Sequence, residues 1–338
     1  MKNAKVSACY DAESAELFAD VSDLPKAFLN AHMMAGFEDA QETLVFARQL
    51  ETIKNRVYMT KYPELKGRKF VPTSNEAGPS TEYLTYRVWT DYVMAKVIGN
   101  YSTDIPTVNA SASETSVKGY TVGDAYVYSI DDLRSAQAAG NGLVDKLAKA
   151  ARRGIELLRD EHTAFGTPEV GSFGLLNHPN VALEVLSNGD WANAGTSGEE
   201  ILADLNQLVT RMLLTTNEIF AGDTLLMSVE AFRLISTKLL DAGNASNRTV
   251  LEAFKAQNPG ITVESWTKLA LANAAGTDGR IVFYKKDPEV LEFEVAVEFE
   301  QMPVEYRAMT YTTVCRAKWF GCQIQFPGAV LYADNQLV

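Results

Sequence analysis

Cysteine and histidine are both scarce in this 338-residue chain, and their spacing excludes the usual chemistry of each. Cys9, Cys315 and Cys322 form an odd set without a CxxC pair, so neither a disulfide framework nor a zinc site is suggested, and buried free thiols are the plain reading. His32, His162 and His178 are the only histidines, and none stands in HExxH or beside a second ligand at i+4. His162 continues an apolar helix face and reads as a core histidine, while His178, before Pro179, reads as a turn residue. No run approaches the ~18 to 20 apolar residues of a membrane helix. The first residues, MKNAKVSACYDAESAELFADV, carry acids where a signal peptide has an apolar block, so the expectation is a chain made and kept in the cytosol. The sequons at Asn100, Asn109, Asn244 and Asn247 then carry no weight. Positive charge is also in deficit: 31 Lys and Arg against 43 Asp and Glu leave a formal charge of -12, which argues against a dedicated nucleic-acid binder. GxSxG, GxxxxGK[ST] and a strand-borne GxGxxG are absent, and Gly140-Asn141-Gly142 and Gly171-Ser172-Phe173-Gly174 read as a helix break and a turn. These absences leave no catalytic, cofactor-binding or metal-binding residue to assign.

What the chain does contain is architecture. With 46% apolar residues it can bury a sizeable core, or two. Between Tyr120 and Asn180 an alternating strand places Tyr120, Val122, Tyr126, Tyr128 and Ile130 on one face, then passes into a helix, the Gly140–Gly142 interruption and a long charged helix. That second helix repeats Val144, Leu147, Ala148, Ala151, Ile155, Leu158 and His162 at helical spacing. Its charges, Lys149, Arg152, Arg153, Glu156, Arg159 and Asp160, are read as a solvated face.

Upstream, residues 1–37 lack a sustained period and read as an extended arm, followed by a helix from Glu38 to about Tyr58 that Pro63 and Gly67 bring to an end. A β-rich run from Tyr83 to Ile98 is expected to pair with Tyr120–Ile130 as a long hairpin, with the small, polar STDIPTVNASASETS as a mobile tip. Such a ribbon is marginal alone in water and needs a neighbour, which could be another copy. Residues 186–287 read as an α/β unit, with helices at Glu199–Thr216 and Val229–Leu240 and strands at Thr224–Ser228 and Ile281–Tyr284. LEFEVAVEFE alternates Leu291, Phe293, Val295, Val297 and Phe299 against glutamates, as a half-buried antiparallel strand does. Glu292 and Glu294 would lie about 6 to 7 Å apart at ~3.3 Å per residue, a glycosidase-like spacing, but a solvated acidic face explains the same pattern. A long strand pair from Val304 to Phe326 and a last strand at Ala329–Tyr332 complete the chain. The cations Lys61, Lys66, Arg68 and Lys69 are too few for a nucleic-acid stripe. They fit ordinary surface charge or a contact with an acidic neighbouring subunit.

Taken in order, FARQLETIKNRVYMTKYPELKGRKFVP, the hairpin, YSIDDLRSAQAAGNGL, KAARRGIELLRDEHTAFG and GLLNHPNV resemble tailed-bacteriophage major capsid proteins with the Hong Kong 97-like fold, over roughly residues 42–335. The resemblance implies an α+β chain: an N-terminal arm with its helix (1–79), an extended β-hairpin loop (80–125), a peripheral domain with a long spine helix (126–185 and 291–326) and an axial α/β domain (186–290 and 327–338). It also implies self-assembly through hexamers and pentamers into an icosahedral shell around double-stranded DNA without sequence-specific contact. Scaffolding, portal and decoration proteins would be partners, with the protein in the virion and, during assembly, in the host cytoplasm; no cofactor and no membrane are implied. Candidate subunit contacts are Tyr86, Arg87, Trp89 and Lys96 on the loop, lying over a neighbour's spine, with Lys61, Lys66, Arg68 and Lys69. Some members crosslink subunits through Lys and Asn, but no such set aligns here and none is expected. Encapsulin shells are similar in fold, and the turn at Phe165-Gly166 and Gly174-Leu175-Leu176 resembles theirs, so a nanocompartment shell is the nearest alternative. A cytosolic enzyme with its site in the axial unit is the next.

Overall fold

The computed structural model describes residues 62–99, 105–138, 140, 142–193, 195–240, 248–273, 276 and 278–335. Residues 1–61 of the expected arm and its helix, with Cys9, His32 and Lys61, lie outside the described residues. In chain order the elements are α1 (Gly67–Phe70), β1 (Thr73–Ser74), β2 (Tyr83–Tyr92), β3 (Asn109–Lys118), β4 (Tyr120–Ser129), α2 (Ile130–Ala138), α3 (Leu143–Phe165), β5 (Gly166–Thr167), β6 (Ser172–Phe173) and β7 (Ala182–Glu184). There follow α4 (Gly198–Thr215), β8 (Thr224–Met227), α5 (Val229–Thr237), α6 (Val250–Gln257), β9 (Thr262–Ser265), β10 (Gly279–Tyr284), β11 (Leu291–Gln301), β12 (Glu305–Arg307), β13 (Thr310–Ile324) and β14 (Val330–Asn335). The result is a mixed α+β fold.

Two sheets organise it. In the first, β13 pairs antiparallel with β4 along one edge and with β12 and β11 along the other, and β1 adds in parallel to β11. The second runs β7-β14-β10-β8-β9. Because side chains alternate across a strand, this second sheet feeds two cores. Leu226, Val282, Tyr284, Val330 and Tyr332 join the core that also holds Ile155 of α3, Phe293 of β11 and Trp319 of β13. Their neighbours Leu225, Met227, Ile281, Phe283 and Leu331 turn the other way, onto Ile201, Leu205, Leu208 and Phe254 of α4 and α6. Both faces of β8 and β10 are therefore buried, which explains their unbroken apolar runs.

Local signals set the helix ends. Ser197 and Glu200 form a capping box on α4, and Thr249 and Glu252 form another on α6, satisfying amides that the helices leave orphaned. The Thr249-x-x-Glu252 spacing is the signal for α6, a helix that the hydrophobic pattern alone does not reveal. α3 ends at Gly166, where φ is 70° and an added Cβ would sit 2.3 Å from the Ser172 carbonyl oxygen. Only glycine fits there.

Several expectations are corrected. β2 pairs with β3, not with Tyr120–Ile130, in an unbroken register from Tyr83↔Lys118 to Tyr92↔Asn109. The segment expected to be a polar tip is thus largely a strand. Small Ser, Thr and Ala side chains suit a ribbon exposed on both faces, whereas β4 pairs with β13 and turns its apolar face into the core beside Ala151 and Ile155 of α3. The ladder stops at Tyr92 rather than Ile98, with Pro106, which has no N–H to donate, on the returning leg. Arg159 and Asp160 are not solvated: they are 4% and 6% exposed. Asp160 accepts the Gly67 amide at 2.7 Å and pairs with Lys268 at 3.2 Å, tying α1 to α3. The alternation of β11 breaks at Glu294, which is 1% exposed and accepts the Ala77 amide at 2.5 Å, next to register shifts against β13. Cys315 and Cys322 are both buried in the same core; strict alternation along a continuous strand would have set them on opposite faces.

Two stability measurements follow. Gly166→Ala is expected to cost roughly 1 to 3 kcal/mol from the backbone conformation alone. Asp160→Ala, which strands the Gly67 amide and the Lys268 ammonium, is expected to cost roughly 2 to 3 kcal/mol. Urea unfolding of the unassembled subunit checks both; a loss under about 0.5 kcal/mol, the level of an ordinary surface change, would contradict either assignment.

Candidate assembly surface

The hairpin β2–β3 is a sheet of two strands that no other described strand joins. Its rungs are polar: Thr85 and Ser116 hydroxyls meet at 2.7 Å, and Arg87 Nε donates to Glu114 Oε1 at 2.6 Å. Leu84, Tyr86 and Val88 form the half-buried face. Tyr86 and Val88, together with Phe173, His178 and Gln325, line a cleft of about 440 Å3. Trp89, on the opposite face, is 68% exposed. Beyond the ladder, Val93, Met94, Val97, Ile98, Ile105 and Val108 are all exposed, and Lys96 is exposed among them. Fully burying one such aliphatic side chain contributes roughly 1.5 to 3 kcal/mol, so this tip is strongly driven to be covered.

Of the expected basic cluster, the described members Lys66, Arg68 and Lys69 lie at α1, and each is engaged within the chain. Lys66 Nζ donates to the Ser265 carbonyl at 2.8 Å, Arg68 pairs with Glu298 at 2.8 Å, and Lys69 pairs with Glu264 at 2.5 Å. Glu298 also binds Arg159, whose guanidinium lies 4.9 Å from the Phe293 ring centroid and donates to Thr73 Oγ1. Burial opposes ionisation of Glu298, but Arg159 and Arg68 outweigh it and hold the carboxyl below its ordinary value. Arg68 and Lys69 remain half exposed, so their outer faces stay open to solvent. Helical spacing places Arg159 four residues after Ile155 and three before His162, on the inward face, and sequence pattern misses it because its charge is taken as a sign of exposure.

The pairs that could suggest chemistry are occupied structurally. Glu292 is raised by burial, then by the Glu294 carboxylate, and accepts from Gln325 at 2.9 Å. Glu294 is sealed in the core, so the two do not form a solvated acidic face. The Gly174 amide donates to Asn177 Oδ1 at 2.7 Å, closing a turn of its own rather than a phosphate cradle. His178 lies in a turn, with its amide donating to the Tyr332 hydroxyl. Among the described residues no group of three or more His, Cys, Asp and Glu is placed to hold a metal ion, and no helix is long and apolar enough to cross a membrane.

The fold is shared with solved phage structures. The capsid of Myoviridae Phage XM1 superposes with a TM-score of 0.76 at 18% identity, covering 87% of this chain and 100% of that one. A structure from Mycobacterium phage Bobi gives 0.59 at 13% identity over 84% of this chain and 94% of that one, and one from Mycobacterium phage Cain gives 0.58 at 12% over 87% and 99%. No curated protein matches. Residues 94–335, most of the chain, match the model of the family described as Major capsid protein, and the chain belongs to that family.

Proposed function

We propose that this shell-forming capsid protein builds the icosahedral head of a tailed bacteriophage around double-stranded DNA, and that the β2–β3 hairpin joins one copy to the next. The observation that carries this is the exposed apolar tip on a two-stranded ribbon. A ribbon of two strands is marginal in water, and a second copy would supply the missing surface. Heterologous contacts of this kind close into rings, here hexamers and pentamers, when the rotation between copies allows. Tyr86, Arg87, Trp89 and Lys96 are the hairpin contacts in this reading. Arg68 and Lys69 offer their outer faces to an acidic neighbour, with Lys66 and Lys61 beside them in sequence.

The arm (1–79), loop (80–125), peripheral (126–185 and 291–326) and axial (186–290 and 327–338) divisions belong to the same proposal. So do scaffolding, portal and decoration partners and assembly in the host cytoplasm. The role is structural and not enzymatic: the mechanism is association, not turnover. A formal charge of -12 suits an inner wall that holds the genome without gripping it.

Negative-stain microscopy of the purified chain tests the reading directly, with shells or capsomers expected. A discrete small oligomer under every assembly condition would sink it. The triple variant Met94→Ser, Val97→Ser, Ile98→Ser changes only exposed side chains, so subunit stability should stay within about 0.5 kcal/mol. Closed particles should fall by roughly tenfold or more, since each lost 1.4 kcal/mol of contact is a factor of ten. Shells at the native yield would remove the tip from assembly.

A further inference from the structure

The hairpin joins the body through very little chain. On the way out, Gly119 alone separates β3 from β4. Its amide donates to the Glu82 carbonyl at 2.8 Å, closing the base of the ribbon, and its Cα faces the Phe320 ring so closely that a Cβ would sit 2.6 Å from a ring carbon. On the way in, Lys318 Nζ holds the Pro79 carbonyl at 3.0 Å. The next residue after the joint, Tyr120, stands directly opposite Trp319 in the β4–β13 ladder.

Both rings converge on His162 of α3. Their centroids lie 5.5 and 5.8 Å from the imidazole, edge-on. Trp319 Nε1–H donates to His162 Nδ1 at 3.1 Å, and the Tyr120 hydroxyl lies 3.2 Å from the same nitrogen while accepting from Thr167 Oγ1 at 2.9 Å. An indole N–H can only donate, so Nδ1 must present a lone pair and the imidazole is neutral, with its proton on Nε2. A second proton would set donor against donor inside a core where His162 is 8% exposed. The charged groups around it are Glu161 on its own helix and Glu169 in the turn between β5 and β6, which favour the cation, and Lys268 in the turn after β9, which opposes it; burial is the largest influence and lowers its pKa. Tyr120 is held as the neutral phenol, its pKa raised by burial against the hydrogen bond from Thr167.

We infer that His162 is a positioning residue for the hairpin: neutral, it clamps Tyr120 and Trp319 and fixes the direction in which the hairpin leaves the body; protonated, it releases the joint. The consequence for shells rests on the proposed role of the hairpin in assembly, whereas the release itself does not. The sign follows from linkage. A histidine whose folded pKa lies below 6.5 contributes its full stability above that pH and loses it as pH falls below, by up to about tenfold in the opening equilibrium per pH unit until the folded group titrates.

Hydrogen exchange of the unassembled full chain, corrected for intrinsic rates, reads the release in β2, β3 and the start of β4. Protection there should drop by up to about tenfold between pH 7.5 and 5.5 in the native chain. In His162→Gln, whose amide oxygen can accept from Trp319 without titrating, it should stay level. Trp319→Phe keeps a ring but removes the opposing donor while burial still disfavours the cation, so should the glutamine variant not fold, its drop should be smaller than that of the native chain, and an equal drop would overturn the inference. Parallel loss in the native chain and a folded variant overturns the inference. Particle formation at pH 5.5 separates the two levels: closed shells from His162→Gln beside open or irregular ones from the native chain support both. A joint that loosens with His162 while native shells still close would leave the clamp standing and sink the hairpin's assembly role.

Discussion

Strand β13 is the element on which the rest depends, because it is paired along both edges and packed on one face by α3. Its first ten residues, Thr310–Trp319, hold β4 in an uninterrupted register, and its second half holds β11. Trp319 sits where these meet, against Phe293 of β11, Tyr120 of β4 and His162 of α3. Everything that leaves this centre leaves from a fixed point. α1 is pinned to α3 through Asp160, and the hairpin is pinned to β13 through Gly119 and Tyr120.

The distribution of apolar surface separates body from hairpin. In the body, β8 and β10 are buried on both faces and even charged side chains, Arg159, Asp160 and Glu294, are drawn in and held by named partners. Burying such groups is tolerable only with those partners, since an unpaired charge in a core costs several kcal/mol. In the hairpin the balance is reversed: the rungs are polar, and large apolar side chains cluster beyond the ladder, exposed among the described residues. A protein that had to function alone would hide them. A member of the major capsid protein family meets many copies of itself, and in the proposed function the surface left open here is the one through which copies join.

Much of this is legible in the order of the residues alone. Period-two alternation locates β4 and β11, the apolar run after Pro327 locates β14, and helical spacing locates α3 with Ala151, Ile155 and His162 inward. Capping geometry explains α4 and is the signal that reveals α6. The hairpin is recognisable as an element without a core of its own, but side-chain pattern points to the wrong partner strand. β3 reads as low in apolar content because its ladder is carried by backbone hydrogen bonds, which leave no pattern in side-chain type. Arg159, Asp160 and Glu294 read as solvated because charge type predicts exposure only when no partner waits inside. Their partners on other elements, Thr73 and Glu298, Gly67 and Ala77, stand between 86 and 217 residues away, and no local window contains them.

The sequence by itself determined the local repertoire: which segments extend, which coil, and that the hairpin lacks a core of its own. Only the tertiary structure decided pairing and burial. It chose β3 for β2, gave β4 to β13, drew three charges inward and set His162 between a tyrosine and a tryptophan. Local periodicity arises from steric and solvation preferences over a few residues, whereas pairing and the fate of a buried charge are settled by contacts between segments far apart in the chain, where the free energy of closing one arrangement is compared with every other.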